Sequence, residues 1–286
     1  MSRSPFLIDG PAVVSFSGGR TSGEMLRRIL DAHDDELPDD VFVMFENTGA
    51  EDPRTLAFVH EVESRWGVAV VWLEYRGEGE LPARVSFLTA SRHREPFDIL
   101  LGERLQRARK ILPNVVARFC TQKLKLHLMR DWMVGQGYDH WTNVSGIRAD
   151  EPGRVATARA PKRERWDTAV PLADAGVTKA DVLSAWAARD FDLGLREWEG
   201  NCDLCFLKNP KKRVRLMRDY PERAAWWIEW ERRFREAGGD ESGSRFSKHQ
   251  PGYANLFAQA GQPMLDVLTD EALASEPDMA DCTCAT

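Results

Sequence analysis

The sequence predicts an α/β fold built on a parallel sheet, and three observations carry that expectation. Apolar runs of strand length alternate with stretches whose apolar residues recur every three to four positions, giving the order strand, helix, strand, helix, strand. Residues 41–45 and 68–73 are apolar throughout, as strands buried on both faces are. The first two runs end in small, polar or glycine residues, which gathers loops of similar chemistry at the carboxyl edge of the sheet, where such folds bind ligands.

The first strand, residues 13–16, turns through Ser17-Gly18-Gly19-Arg20-Thr21-Ser22-Gly23 into a helix with Met25, Leu26, Ile29 and Leu30 on one face. Adjacent glycines let the backbone approach a ligand closely, Ser17, Thr21 and Ser22 supply hydroxyls, and the amides opening a helix attract anions. Phosphate is the natural guest, although neither the Gly-x-x-x-x-Gly-Lys-Ser/Thr nor the Gly-x-Gly-x-x-Gly spacing is present. The second strand ends in Glu46-Asn47-Thr48-Gly49, a strand-ending turn that faces the same edge. A helix from Pro53 carries Thr55, Phe58, Val59, Val62 and Trp66 as its stripe, and residues 68–73 form the third strand.

Residues 76–118 show no clear strand and one helical pattern, from Pro96 to Lys110, and read as an insertion. Then Arg118-Phe119-Cys120-Thr121-Gln122-Lys123 enters a helix faced by Leu124, Leu128 and Trp132. The basic neighbours of Cys120 are expected to lower its thiol pKa and favour thiolate, for nucleophilic attack or metal ligation. A strand at 140–145 leads into Gly146-Ile147-Arg148-Ala149-Asp150-Glu151-Pro152-Gly153-Arg154, whose two arginines suit bidentate recognition of an anion; an Arg148 to Glu151 ion pair is the plainer reading.

Helices dominate beyond this point. Thr178 and Asp181 form a capping box, and Pro221 opens a helix whose Trp226, Trp227, Trp230 and Phe234 are spaced as core. Between them lies Gly200-Asn201-Cys202-Asp203-Leu204-Cys205. A Cys-x-x-Cys pair supplies two soft ligands for a metal or cluster corner, or a redox dithiol; Cys120 and Cys282 or Cys284 complete four ligands if the fold brings them together. The basic run Lys208-Asn209-Pro210-Lys211-Lys212-Arg213-Val214-Arg215 is either a solvated helix face or a contact for nucleic acid phosphates.

The net charge of −6, from 39 basic and 45 acidic residues, disfavours a surface that grips nucleic acid over its whole extent. No long apolar span or secretion-signal pattern appears, so a cytoplasmic protein without membrane contact is expected, and an odd count of five cysteines favours metal or redox chemistry over a disulfide framework. The expected division is 1–170 as the α/β domain, with 76–118 inserted, and 171–286 as a mostly helical region carrying the cysteine pairs.

The loop Ser17-Gly18-Gly19-Arg20-Thr21-Ser22, the Asn47-Thr48-Gly49 turn with Glu51 and Thr55, Phe119-Cys120-Thr121 with Lys123 and Lys125, and Gly146-Ile147-Arg148-Ala149-Asp150-Glu151 with Arg154 occur here in the order found in one family. Through them the chain resembles the phosphoadenosine phosphosulfate (PAPS) reductase-like branch of the PP-loop, or adenine nucleotide alpha-hydrolase, superfamily. The resemblance implies a Rossmann-like PP-loop fold that binds ATP or another adenine nucleotide, with or without Mg2+, through Ser15, Ser17, Gly18, Gly19, Arg20, Thr21, Ser22, Asn47, Thr48, Gly49, Gly146 and Ile147. It implies catalytic roles for Arg148, Arg154 and Cys120, and ligation of a 4Fe-4S cluster, ahead of Zn2+, by Cys120, Cys202, Cys205 and Cys284 (or Cys282). The activity implied is an ATP pyrophosphatase that adenylates an acceptor, a tRNA or DNA, for sulfur transfer, with a sulfur-donor protein as a further partner. Two alternatives stand beside it: a sulfonucleotide reductase, and a non-catalytic nucleotide- or nucleic-acid-binding module with structural zinc. The chain departs from the family in two places: Thr21 stands where many members have aspartate, and the last residues are Cys282-Thr283-Cys284-Ala285-Thr286 rather than a Glu-Cys-Gly-Leu segment.

Overall fold

A computed structural model of the chain describes residues 3–108, 110–161, 163–240, 243–262 and 269–278. Six strands form one sheet in the order β4-β3-β2-β1-β5-β6. They are β1 (Ala12–Ser15), β2 (Val41–Asn47), β3 (Val70–Glu74), β4 (Ala83–Val85), β5 (Trp141–Val144) and β6 (Trp166–Ala169). All neighbours pair in parallel except β3 and β4. The protein is therefore α/β with an open, mostly parallel sheet. The strand in the 76–118 segment escapes a pattern search because β4 is three residues long and only half-buried, so no apolar run marks it.

The helices are α1 (Arg20–Ala32), α2 (Pro53–Trp66), α3 (Glu95–Gln106), α4 (Phe119–Thr121), α5 (His127–Gly135), α6 (Pro152–Arg159), α7 (Pro171–Asp174), α8 (Lys179–Ala187), α9 (Pro210–Asp219), α10 (Ala224–Glu236), α11 (Tyr253–Ala260) and α12 (Asp270–Ser275). A π-helical turn, Gln122–Leu126, joins α4 to α5. Among the described residues no helix is long and apolar enough to cross a membrane.

Alternation along each strand splits the core in two. Val14, Val43, Phe45, Trp72 and Val144 pack on one side with α1, α2 and the stretch from Leu172 to Leu195. Val13, Met44, Val71, Leu73 and Trp141 pack on the other with α3, α5, α9, α10 and α11. The tryptophans of α10 are core, as their spacing predicts: Trp227, Trp230 and Phe234 are buried, and Trp226 and Trp230 both donate to Asp98 Oδ1 at 2.7 and 2.8 Å.

The basic run divides: Lys211 is exposed, as a solvated helix face would be, but three of its cations belong to the interior. Lys208, Lys212 and Arg213 are buried; Lys212 pairs with Asp278 at 2.9 Å, and Arg213 donates to Gln250 beneath the ring of Tyr253. A count of charges along the chain does not show that α9 packs against α11, or that its cations meet acceptors from distant segments.

Candidate functional site

The sheet reverses its order at β1: β2 follows on one side and β5 lies on the other. Loops leaving the carboxyl ends of β1 and β5 diverge there and leave the crevice in which open α/β sheets bind ligands. A cavity of about 330 Å³ occupies it, lined by Ser15, Ser17, Gly19, Arg20, Thr21 and Ser22 from the first loop and by Ser145, Gly146, Arg148 and Arg154 from the second.

Glycine is required at two points of this geometry. Gly18 has φ +73°, and a Cβ there would stand 2.7 Å from Thr55 Cγ2. A Cβ on Gly146 would lie 3.2 Å from Ser22 Cα, so the two loops touch backbone to backbone. Helix α1 begins at Gly19, which offers no side-chain cap, and its first turn holds no acid. Its opening amides are thus left to an external acceptor. Ser22 Oγ donates to Gly19 O at 3.1 Å and lies 3.1 Å from Ser17 Oγ, which fixes both hydroxyls at the rim.

Below the rim, polar groups replace apolar ones at the strand ends. Ser15 Oγ donates to Asn143 Oδ1 at 2.8 Å, while Asn143 Nδ2 and Ser145 Oγ have no partner although both residues are fully buried. Buried hydroxyls and amides left unpaired are costly, by roughly 1–3 kcal/mol each. Ser145 lines the cavity, so a guest is in position to meet its hydroxyl.

Glu151 organises the two arginines. Its carboxylate accepts from the Arg148 amide at 3.0 Å, lies 3.4 Å from Arg148 Nη1 and pairs with Arg154. Arg148 also donates from Nη1 to Thr21 Oγ1 at 3.3 Å, and Arg154 Nε is buried without a partner. The ion pair and the cavity-facing role therefore coexist.

The remaining expected residues divide. Gly18 supports the loop from beneath. Ile147 is core, clustered with Ala158 and Val170. Asn47 is fully buried and holds the β2 terminus: its Nδ2 donates to Glu74 at 2.7 Å and its Oδ1 accepts from Gly49 N at 3.1 Å. Thr48 binds Glu51 through both its amide and its hydroxyl, and Gly49 gives its carbonyl to Arg94 N. None of these three lines the cavity.

Cys202 and Cys205 do line it, whereas Cys120 does not. Burial pushes the Cys120 thiol up to about 12, with Cys205 adding to the rise and Arg118 opposing it weakly. This overturns the lowered pKa expected from its basic neighbours, because desolvation outweighs them. Burial, then Glu51, also raise the Cys202 thiol, whose Sγ lies 3.9 Å from Glu51 Oε1. Lys125, turned inward by the π-helical stretch, stands 3.9 Å from the same oxygen; burial lowers its pKa, but Cys202, Glu51, Glu46 and Cys120 together raise it.

Cys120 and Cys202 thus both lie within electrostatic reach of Lys125 and of Cys205. Among the described residues no group of three or more His, Cys, Asp or Glu side chains is arranged to hold a metal ion. Cys282 and Cys284 lie outside the described residues.

Residues 200–208 complete the cavity wall, and only their cysteines were singled out from sequence. Asp52 N donates to Asn201 O at 2.8 Å and Asp203 N to Ala50 O at 3.0 Å, which adds this segment as a one-bridge strand beside Glu51. Lys208 closes it by donating to Cys202 O, and Asn201 Nδ2 donates to Ser17 O at 2.7 Å. Lys179 and Arg196 also line the cavity, Lys179 paired with Glu197 at 2.9 Å and Arg196 with Asp219 at 2.6 Å.

No family model matches the chain. Over 207 residues it is 33% identical to the uncharacterized nin region protein ORF290 of Escherichia phage lambda, an alignment that covers 70% of this chain and 67% of that protein. The chain belongs to the ORF290 family.

Proposed function

We propose that this member of the ORF290 family is an adenine nucleotide-dependent enzyme of the PP-loop, PAPS reductase-like type, which cleaves ATP to AMP and pyrophosphate while activating an acceptor for sulfur transfer. The observation that carries the reading is one cavity at the β1–β5 crevice that joins an uncapped helix N-terminus, Arg148 and Arg154 of the second loop, and Cys202 and Cys205. In the first half-reaction an acceptor oxygen attacks the α-phosphorus, the bond to pyrophosphate breaks, and the acceptor leaves as its adenylate. The α1 amides with Ser17 and Ser22 bind phosphate oxygens, and Arg148 and Arg154 face the charge that grows on the departing pyrophosphate. In the second, a sulfur nucleophile takes the activated position and AMP departs with the electron pair. Cys202 and Cys205 mark the wall at which sulfur would be presented. A nucleic acid acceptor and a sulfur-donor protein suit this chemistry, but the buried cations of α9 do not serve as the contact.

Anaerobic purification, followed by assay of iron, sulfide and zinc and of AMP formation from ATP with tRNA and with DNA, tests the reading. AMP and pyrophosphate in equal amounts support it. Thiol-dependent release of sulfite from a sulfonucleotide, without ATP, identifies a reductase instead, and zinc without AMP formation identifies a binding module.

A further inference from the structure

We propose that Asn201 is a positioning residue that latches the phosphate loop to the cysteine segment, so that modification of Cys202 and occupancy of the nucleotide cavity are thermodynamically coupled. The proposal deepens the nucleotide reading above and rests on it. The segment 200–208 is anchored at its far end by the Arg94–Asp203 pair and by Tyr253, which donates to Leu204 O, and three further contacts hold its near end at the crevice. Two are backbone bonds to residues 50–52, on the β2 side, and they hold the strap to the sheet. The third is the Asn201 amide, which donates to Ser17 O at 2.7 Å. It is the contact that acts on the phosphate loop itself. A Cβ on Gly19 would stand 3.0 Å from the same amide, so loop and side chain are in close packing as well.

On its other side the loop rests on α2, where the space beneath Gly18 is filled by Thr55 and Val59. The loop is therefore held between a rigid helix and a strap. Cys202 follows Asn201 directly, and its carbonyl is gripped by Lys208, so a group attached to Cys202 displaces the Asn201 backbone on which the latch depends. Whatever the strap does to the loop, a nucleotide in the loop must do to the strap with the same factor.

The isosteric Asn201→Asp substitution keeps the shape and replaces the donor with a carboxylate, and Asn201→Ala, which adds no charge, separates loss of the latch from charge repulsion. Hydrogen exchange on the full chain is read at amides 18–23, with β3 as reference. In Asn201→Asp, exchange at 18–23 rises at least tenfold with β3 unchanged, and ATP binds at least tenfold more weakly. N-ethylmaleimide on Cys202, located by peptide mass, produces the same loop exchange in the wild type, adds nothing in Asn201→Asp, and has no effect on Cys202→Ala. Unchanged exchange at 18–23 on both treatments overturns the proposal, as does a wild-type response from Asn201→Asp where Asn201→Ala is impaired. If the exchange results hold but the wild type binds no ATP, ADP or AMP, the nucleotide reading fails and the latch stands.

Discussion

Arg148 crosses the crevice to donate from Nη1 to Thr21 Oγ1 at 3.3 Å, tying the second loop to the first turn of α1 by a neutral acceptor. The PP-loop pattern that the proposed function invokes often has aspartate where Thr21 stands. A carboxylate there would pair with the guanidinium and withdraw part of its charge from an anion in the cavity. Thr21→Asp is expected to weaken ATP binding several-fold in EDTA and to recover it with Mg2+, as titration calorimetry in the two buffers will read.

Ser145 separates stability from function. Its hydroxyl is buried and unpaired, so Ser145→Ala removes an unsatisfied group and leaves the urea midpoint unchanged or slightly higher. The same change removes a group facing the cavity. AMP formation falls about tenfold, equivalent to the loss of a hydrogen bond of about 1.4 kcal/mol. Paired denaturation and turnover measurements check both halves.

Gly146→Ala acts through sterics. Its Cβ meets the Ser22 backbone at 3.2 Å, so the loops must part by a few tenths of an ångström. We expect a loss of about 1–2 kcal/mol in stability together with weaker nucleotide binding, whereas alanine at Gly153, where a Cβ meets nothing, is neutral. Thermal melts with and without ATP separate the two.

Glu46 makes stability depend on pH. It is buried at the end of β2, its Oε1 has no partner, and burial raises its pKa to about 7, against a weaker opposing pull from Lys125. The raised value favours the protonated native state. Its contribution is present in full below the unfolded value near 4.5 and is lost as pH rises through about 7. Glu46→Gln should therefore gain on the wild type by roughly 2–4 kcal/mol at pH 8.5 and match it near pH 4.5. Urea unfolding at the two pH values gives the difference.

Cys120 reports on burial. With its thiol pushed up to about 12, its alkylation by iodoacetamide at pH 8 should be slower than that of a free cysteine by more than a hundredfold, and still rising at pH 10. Peptide mass spectrometry over a pH series measures it.

The parallel sheet was legible because β2 and β3 are buried on both faces and α1 and α2 carry clear apolar stripes. The tight turn from β1 into α1 was legible because two glycines between an apolar run and a helical pattern leave little else for the backbone to do. What the sequence hid depends on contacts across long separations. Asn47 looks like a ligand residue until Glu74 and Ser91 are seen to satisfy its amide. Lys125 sits in an unremarkable helical pattern, and only the π-helical turn brings it among the thiols. Asn201 has no motif of its own. Its role exists because the segment returns to the carboxyl end of β1, which no local pattern encodes.

That return fixes when the cavity can exist. Asn201 and Ser17 are 184 positions apart, and the wall between them is supplied by segments from both halves of the sequence. A chain emerging from the ribosome can pair β1, β2 and β3 early, since loop closure over short separations is less costly. The loop after β1 then stays open on one side until the strap arrives. The cavity is thus completed only in nearly finished molecules, and a product shortened before residue 200 would fold a sheet around half of the cavity wall.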